Sequence, residues 1–296
     1  MISRSDLFQG VVDALHQEDY SVYYSEGLRR YFDLIGIGAA RLFIKILLNI
    51  DNLDREEGNE LKKFSEAFSS SSLLVGDRAG TESLRDDVVY QRFDNTCVNL
   101  HTFKCILGGE GIARFTKRGQ FLVSIDGEAL KRFREENDLS REELAKRLEC
   151  TPQTIYRSEK HNRIQEDLYK RLASIVEDRN LEMGEVTPKP YRSTRVGLQD
   201  RIRQDIMREF FRLKINTIAF NTPVDFALED KPVLAPVSQS EAELRRKQRI
   251  AKNLEEALGC DVVHITKVKR NCRLSHVYWD ELVGMETKEE ILERSS

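Results

Sequence analysis

The stretch L139-S-R-E-E-L-A-K-R-L-E-C-T-P-Q-T-I-Y-R-S-E-K160 constrains this chain more than any other, because residue types alone write two short helices and the break between them. Ser140, with Glu143 three residues on, is a capping box that satisfies the orphan N–H groups of a first helix. Leu144, Ala145 and Leu148 fall on one stripe at helical spacing. Thr151 caps a second helix, and Pro152 takes its first position, where a missing N–H costs nothing. That second helix has one strong apolar anchor, Ile155, and leaves Gln153, Thr154, Tyr156, Arg157 and Ser158 to face outward. A helix anchored so shallowly has a face to offer to a groove.

The flanks extend the pattern. Leu130 and Phe133 predict a preceding helix that ends near Asn137-Asp138, and Leu168, Leu172 and Ile175 predict a closing one. Residues 125–176 resemble the DNA-binding domain of the Cro and phage-repressor type, the XRE family, through the L-S-x-x-E-L-A-x-x-L run, the T-x-Q-T-I start and Glu159. Two positions depart from it: Glu149 stands where the turn usually has Gly, and Pro152 replaces a residue that often reads a base. The resemblance implies double-stranded DNA as partner. Gln153, Thr154 and Arg157 are the expected base contacts, Gln suiting adenine and Arg guanine. Arg141, Thr151, Lys160 and Arg163 are the expected phosphate contacts, which fix register without carrying sequence information.

Charge then bears on assembly. The chain carries a net −3, so no global positive field draws it to nucleic acid. Between Arg141 and Arg163 six positive side chains face four negative ones, a net +2. Phosphate contacts supply most sequence-independent affinity, so a single module should bind weakly, and a homodimer reading two half-sites is expected. An effector ligand or a protein partner stays open.

At 296 residues, with 40% hydrophobic and 33% charged, the chain has room for two or three ordinary soluble domains. No apolar run approaches the ~20 residues of a membrane span. R41-L-F-I-K-I-L-L-N-I50 is too short and carries Lys45, and the N-terminus lacks the apolar core of a secretory signal. Five cysteines without a C-x-x-C pair argue against a disulfide framework and against a zinc site. A reducing cytoplasm, no membrane, no metal and no cofactor are expected. No P-loop, GxGxxG or catalytic triad is found.

The module is embedded in two α/β segments. The first is predicted as a helix at Leu7–Leu15, strands at Ser21–Tyr24, Phe32–Ile37 and Leu42–Leu48, a polar helix at Asp54–Phe68, strands at Leu73–Gly76 and Val88–Phe93, and a helix at Leu100–Leu107. A hairpin around Arg118-Gly119 leads into the module. The last hundred residues repeat this order, with a helix to Phe211, strands at Thr217–Phe220, Val224–Leu228 and Val233–Val237, a capped helix to Leu258, and strands at Asp261–Ile265 and Leu274–Val277. The expected domains are therefore 1–109, α/β; 110–180, hairpin plus helix-turn-helix; 181–197, linker; and 198–296, a second α/β domain. The expected fold class is multidomain α/β plus all-α, a central five-helix module between two α/β domains whose element order resembles that of restriction endonucleases.

Helix, strands, helix, strand with an Asp on the second strand is also the plan of the PD-(D/E)xK nucleases. Those enzymes hold Mg²⁺ between that Asp and an acid two residues before a Lys on the next strand. Asp33 and Lys45 fit, but Phe43 stands at the acid's place, with Glu26 a substitute from a neighbouring position. In the second copy Asp225 remains, and V233-L-A-P-V237 offers neither acid nor Lys. The expectation is of no catalytic residues and no enzyme, with Asp33 capping a turn. The full chain resembles archaeal HTH-type transcriptional regulators, an XRE-containing family with degenerate nuclease-like flanks. F32-D-L-I, F43-I-K-I-L-L-N-I-D51, L73-L-V-G-D-R78 and S124-I-D-G-E128 carry that likeness. It implies a sequence-specific regulator; the alternatives are a Mg²⁺-dependent nuclease targeted by the module, or a transcription adaptor that binds proteins. The run R245-R-K-Q-R-I-A-K252 reads as a solvated helix face, His264 as a surface or satisfied residue, and Trp279 as packing for the C-terminal domain.

Overall fold

The computed structural model describes residues 2–109, 114–117, 120–175, 200–228, 232–268 and 275–295. Helix α1 (Arg4–Gln17) is opened by a Ser3–Asp6 capping box. Strands β1 (Ser21–Tyr24), β2 (Leu34–Ile37) and β3 (Arg41–Asn49) pair antiparallel in sequence order. Helix α2 (Arg55–Ala67) starts with an Asp54–Glu57 capping box, and β4 (Ser71–Ala79) follows it. The short β5 (Glu82–Ser83) folds back on β4. Strands β6 (Val88–Arg92) and β7 (Asn95–Val98) form a hairpin, and Asn99 caps α3 (Leu100–Leu107).

Strands β8 (Arg114–Lys117) and β9 (Gln120–Ser124) form the predicted hairpin, whose Arg118-Gly119 turn lies outside the described residues. Then come α4 (Gly127–Glu136), α5 (Arg141–Arg147), α6 (Pro152–His161), β10 (Arg163–Gln165) and α7 (Glu166–Ile175). Four helices, rather than the expected five, are present among the described residues of this stretch. Strand β10 was not expected: three residues between two helices pair antiparallel with β9, Ile164 opposite Val123. A partner strand from elsewhere, not local propensity, extends these residues.

The final elements are α8 (Arg201–Arg212), β11 (Thr217–Ala219), β12 (Phe226–Leu228), β13 (Val233–Ala235), β14 (Val237–Ser238), α9 (Glu241–Leu258), β15 (His264–Thr266), β16 (His276–Tyr278), α10 (Trp279–Gly284) and α11 (Glu289–Leu292). Strands β11–β13 form one antiparallel sheet, and β14–β16 a parallel one. The first segment runs α-β-β-β-α-β, whereas here four strands separate the two helices, giving α-β-β-β-β-α-β. The linker expected at 181–197 lies outside the described residues.

Two compact units result, and neither is continuous in sequence. One gathers the described residues of Met1–Glu18, Leu47–Asn52 and Leu74–Pro188; the other those of Asp19–Ile46, Leu53–Leu73 and Lys189–Ser296. In the first, Leu130, Leu144, Leu148, Ile155, Leu168 and Leu172 close a small helical core with Val123 and Ile164. In the second, Phe32, Phe43 and Phe64 share one core with Phe220, Leu234 and Leu254, and Phe64 stacks on Phe220 at 4.4 Å. The Lys63 ammonium donates to the Ala219 carbonyl at 2.8 Å, Glu60 accepts from the Asn221 N–H at 2.8 Å, and the Tyr31 hydroxyl donates to the Asn221 carbonyl at 2.7 Å. Trp279 packs beside the second core of this unit, around Phe210 and Phe226.

Candidate nucleic-acid interface

The interface is built on α5 and α6. Ser140 Oγ accepts the Glu143 N–H at 3.1 Å while Glu143 accepts the Ser140 N–H at 2.8 Å, which holds the Glu143 carboxyl below its ordinary range. The turn between the helices forces Glu149 into the left-handed region at φ 53°, the place the sequence pattern reserves for Gly. Its strain is offset by Arg171, which donates to the Leu148 carbonyl at 2.8 Å and pairs with Glu149 at 3.1 Å. Thr151 caps α6 by accepting the Thr154 N–H at 3.2 Å.

Helix α6 is fixed in rotation by Ile155, Ser158 and Glu159, all buried, which corrects the outward reading of Ser158, whose hydroxyl donates to the Thr154 carbonyl at 3.0 Å. Glu159 does more than fill space. It takes the Arg134 Nε of α4 at 2.8 Å on one oxygen and the Arg141 Nε of α5 at 2.9 Å on the other, joining three helices through one carboxylate. That hydrogen bond raises the Arg134 guanidinium above its ordinary value. Gly127 makes the packing of α4 on α6 close: a Cβ there would overlap the Glu159 carbonyl and come within 2.6 Å of Asn162 Oδ1.

This rotation leaves Gln153 and Arg157 exposed, one turn apart, with Thr154 half-buried between them. Beside them lies a pocket of about 360 Å³ lined by Thr154, Arg157, His161, Arg163, Gln165 and Leu122 among others, with no acid in its wall. Arg163 lies just beyond α6, in β10, and lines the same pocket as Arg157. Lys160 sits in the last turn of α6, its ammonium 3.4 Å from the Tyr156 hydroxyl. Arg141 is divided between Glu159 and the Tyr156 ring, 5.4 Å from the ring centroid. The hydroxyls of Thr151 and Thr154 are 2.9 Å apart and share a hydrogen bond. Sequence reasoning missed His161 and Gln165 on this surface and the role of Tyr156 as a platform for two cations. The spacing 154–157–158–161 held the signal for His161; Gln165 had none, because strand pairing placed it.

The two Asp-bearing segments carry the other polar centres. Asp33 is buried and its Oδ2 accepts the Ile46 N–H at 2.8 Å. The register that sets Leu34 opposite Ile44 puts Asp33 opposite Lys45, whose ammonium donates to the carbonyls of Arg29 and Arg30 at 2.6 and 2.8 Å. Phe43 is buried against Phe32 at 5.1 Å, and Glu26 is exposed. Asp33, Phe43 and Lys45 thus supply one carboxylate where the PD-(D/E)xK metal site takes two.

Asp225 makes the matching bond, Oδ2 accepting the Val237 N–H at 2.8 Å, but its lysine comes from a helix. Lys247 of α9 approaches Asp225 at 2.7 Å and Glu243 at 2.9 Å, and Arg203 of α8 reaches the other Asp225 oxygen at 3.2 Å. Burial pushes the Asp225 carboxyl up, against the pull of Lys247. Lys247 therefore corrects the reading of 245–252 as a solvated face: it shares the buried stripe of Leu244, Ile250, Ala251 and Leu254. His264 is corrected too. It is buried, and its Nδ1 has no hydrogen-bond partner among the described residues.

Residues 4–112 match the family model described as a PD-(D/E)XK superfamily domain. This overturns the expectation of no enzyme, since that superfamily is one of nucleases and the match brings nuclease chemistry back into account. No helix among the described residues is long and apolar enough to cross a membrane. Over 150 residues, half of this chain, the sequence is 39% identical to a protein of Pyrococcus furiosus named "Putative HTH-type transcriptional regulatory protein", covering 48% of it. A protein of the same name from Methanococcus maripaludis is 34% identical over 53% of this chain and 48% of its own length. One from Pyrococcus horikoshii is 29% identical over 81% of this chain and 79% of its own length. The matched stretch spans about half the length of the first two relatives. No solved structure matches. The chain is similar to archaeal proteins named as HTH-type transcriptional regulators, and at its N-terminal end to the PD-(D/E)XK superfamily.

Proposed function

We propose that this chain is a sequence-specific DNA-binding transcriptional regulator whose residues 110–180 form an XRE-type module reading the major groove through α6. The observation that carries the reading is the exposed face of α6, where Gln153 and Arg157 stand beside an acid-free pocket lined by Arg157, His161 and Arg163. Gln153, Thr154 and Arg157 contact bases; Arg141, Thr151, Lys160 and Arg163 contact phosphates. The module's small net charge argues for a homodimer on two half-sites, and the setting is the cytoplasm. Selection from a random DNA pool tests this, followed by anisotropy titrations with the full chain. Gln153→Ala and Arg157→Ala should each lose roughly 1–3 kcal/mol of discrimination at one base position. Lys160→Ala should weaken every site alike and lower the salt slope by about one ion. No preferred sequence in the selected pool would sink the proposal.

A second reading, nuclease action by the segment containing Asp33, is favoured by the family match over residues 4–112. Plasmid nicking that needs Mg²⁺ and is lost in Asp33→Ala would establish it; nicking that survives the substitution would point to a contaminant.

A further inference from the structure

A cluster of a different kind lies at the start of β6. Asp87, His101 and Cys105 each offer one ligand atom, and all three atoms lie within 4.8 Å of one another. His101 and Cys105 are four residues apart on α3, so they share one face of the helix. Asp87 comes from the loop before β6 and is held over that face by its backbone. Its N–H donates to Thr102 Oγ1 at 2.9 Å, and Asn99 ties the same loop to the helix start through Asp86 Oδ1 at 2.6 Å and the Leu84 carbonyl at 3.2 Å. These bonds hold Asp87 in the left-handed region at φ 58°, a conformation that is costly without support.

The distances match the edges of a metal coordination shell. His101 Nε2 lies 3.4 Å from Asp87 Oδ1 and 3.6 Å from Cys105 Sγ. One imidazole nitrogen thus faces a carboxylate oxygen and a thiol sulfur, all three of them ligand atoms for a divalent ion. In a tetrahedron with Zn–N and Zn–O near 2.1 Å and Zn–S near 2.3 Å, the ligand–ligand edges are about 3.4 Å for N–O and about 3.6 Å for N–S. Carboxylate, neutral imidazole and thiolate together carry the charge that cancels a divalent ion, and this donor mixture suits zinc-class metals over magnesium or calcium. The Asp87 and His101 side chains are each about half exposed, at 54% and 55%, which leaves a fourth position open to water.

We infer that Asp87, His101 and Cys105 form a binding site for a divalent transition-metal ion of the zinc class, with one open coordination position. Binding takes up the ion as the Cys105 thiol gives its proton to solvent, so affinity rises with pH. The site escapes the search for paired cysteines because it uses one cysteine and draws its carboxylate from a loop.

The test is titration of the chelator-treated full-length protein with Co²⁺, followed by displacement with Zn²⁺. One equivalent should bind, with a thiolate-to-cobalt charge-transfer band and the intense visible bands of tetrahedral cobalt. Cys105→Ser should abolish the charge-transfer band. Even outer-shell partners of a metal are worth about tenfold in affinity, so His101→Ala and Asp87→Asn should each cost more than that. Zn²⁺ should raise the thermal midpoint of the parent protein and leave that of Cys105→Ser unmoved. All three side chains are at least partly exposed, and matching circular dichroism spectra would confirm that the variants fold. Absence of stoichiometric Co²⁺ binding in the parent, or a charge-transfer band that persists in Cys105→Ser, would overturn the inference.

Discussion

The helical module α4–α7 and the core joining the two Asp-bearing segments close over very different lengths of chain. In the module, Glu159 reaches Arg141 across 18 positions and Arg134 across 25. In the other core, Lys63 meets Ala219 across 156 positions, Tyr31 meets Asn221 across 190, and Arg41 meets Leu258 across 217. The first kind of contact lies within reach of caps and periodicity. The second depends on what distant chain happens to cover a face, and it pays the entropy of a long closed loop before any contact forms.

The largest effect should come from cutting that long-range core. Residues 200–296 are not a removable flank, since Phe220, Val224, Leu234 and Leu254 complete the core around Phe43 and Phe64. Deleting 200–296 should abolish protection of amides in 32–46 and 61–68, and Phe220→Ala alone should cost about 3–5 kcal/mol. Protection that survives the deletion would break the comparison.

Glu159→Ala should come next, at about 3 kcal/mol, because it strips the buried Arg134 guanidinium of its buried partner and leaves it only the exposed Glu135 and the Leu139 carbonyl. Hydrogen exchange should place that loss within residues 123–175. A loss spread evenly over the chain would mean that the module's contacts are not local in effect.

A pH titration probes the long-range side from within. Burial, together with His276 and Lys247, holds the His264 imidazole down from 6.5 to about 4, so it stays neutral when folded while the unfolded chain takes a proton first. Its stability contribution is whole above pH 6.5 and is lost as pH falls towards 4, up to about 3 kcal/mol. His264→Gln should flatten that slope; an unchanged slope would assign it to other groups.

The smallest effect should be a gain. Glu149→Gly removes left-handed strain worth about 1–2 kcal/mol but loses the exposed pair with Arg171, so the module should gain up to about 1 kcal/mol in urea unfolding. A loss would show that the Arg171 contact outweighs the strain.

The sequence by itself determined what short-range chemistry can encode. Ser140–Glu143, Thr151 and Pro152 place α5 and α6, and the Ser21–Tyr24 strand and the Leu100–Leu107 helix are where alternation and capping put them. The outward face of Gln153 and Arg157 was legible from Ile155 alone, but the burial of Ser158 and Glu159 beside it was not. Only the tertiary structure decided that Asp225 meets a lysine from a helix, that Lys45 turns to the Arg29 and Arg30 carbonyls, that β10 pairs with β9, and that Arg163 turns into the pocket beside Arg157. The same holds for Asp87 over His101 and Cys105. Backbone hydrogen bonding and burial between distant segments fix these placements, and no residue's own conformational preference records which segment will arrive.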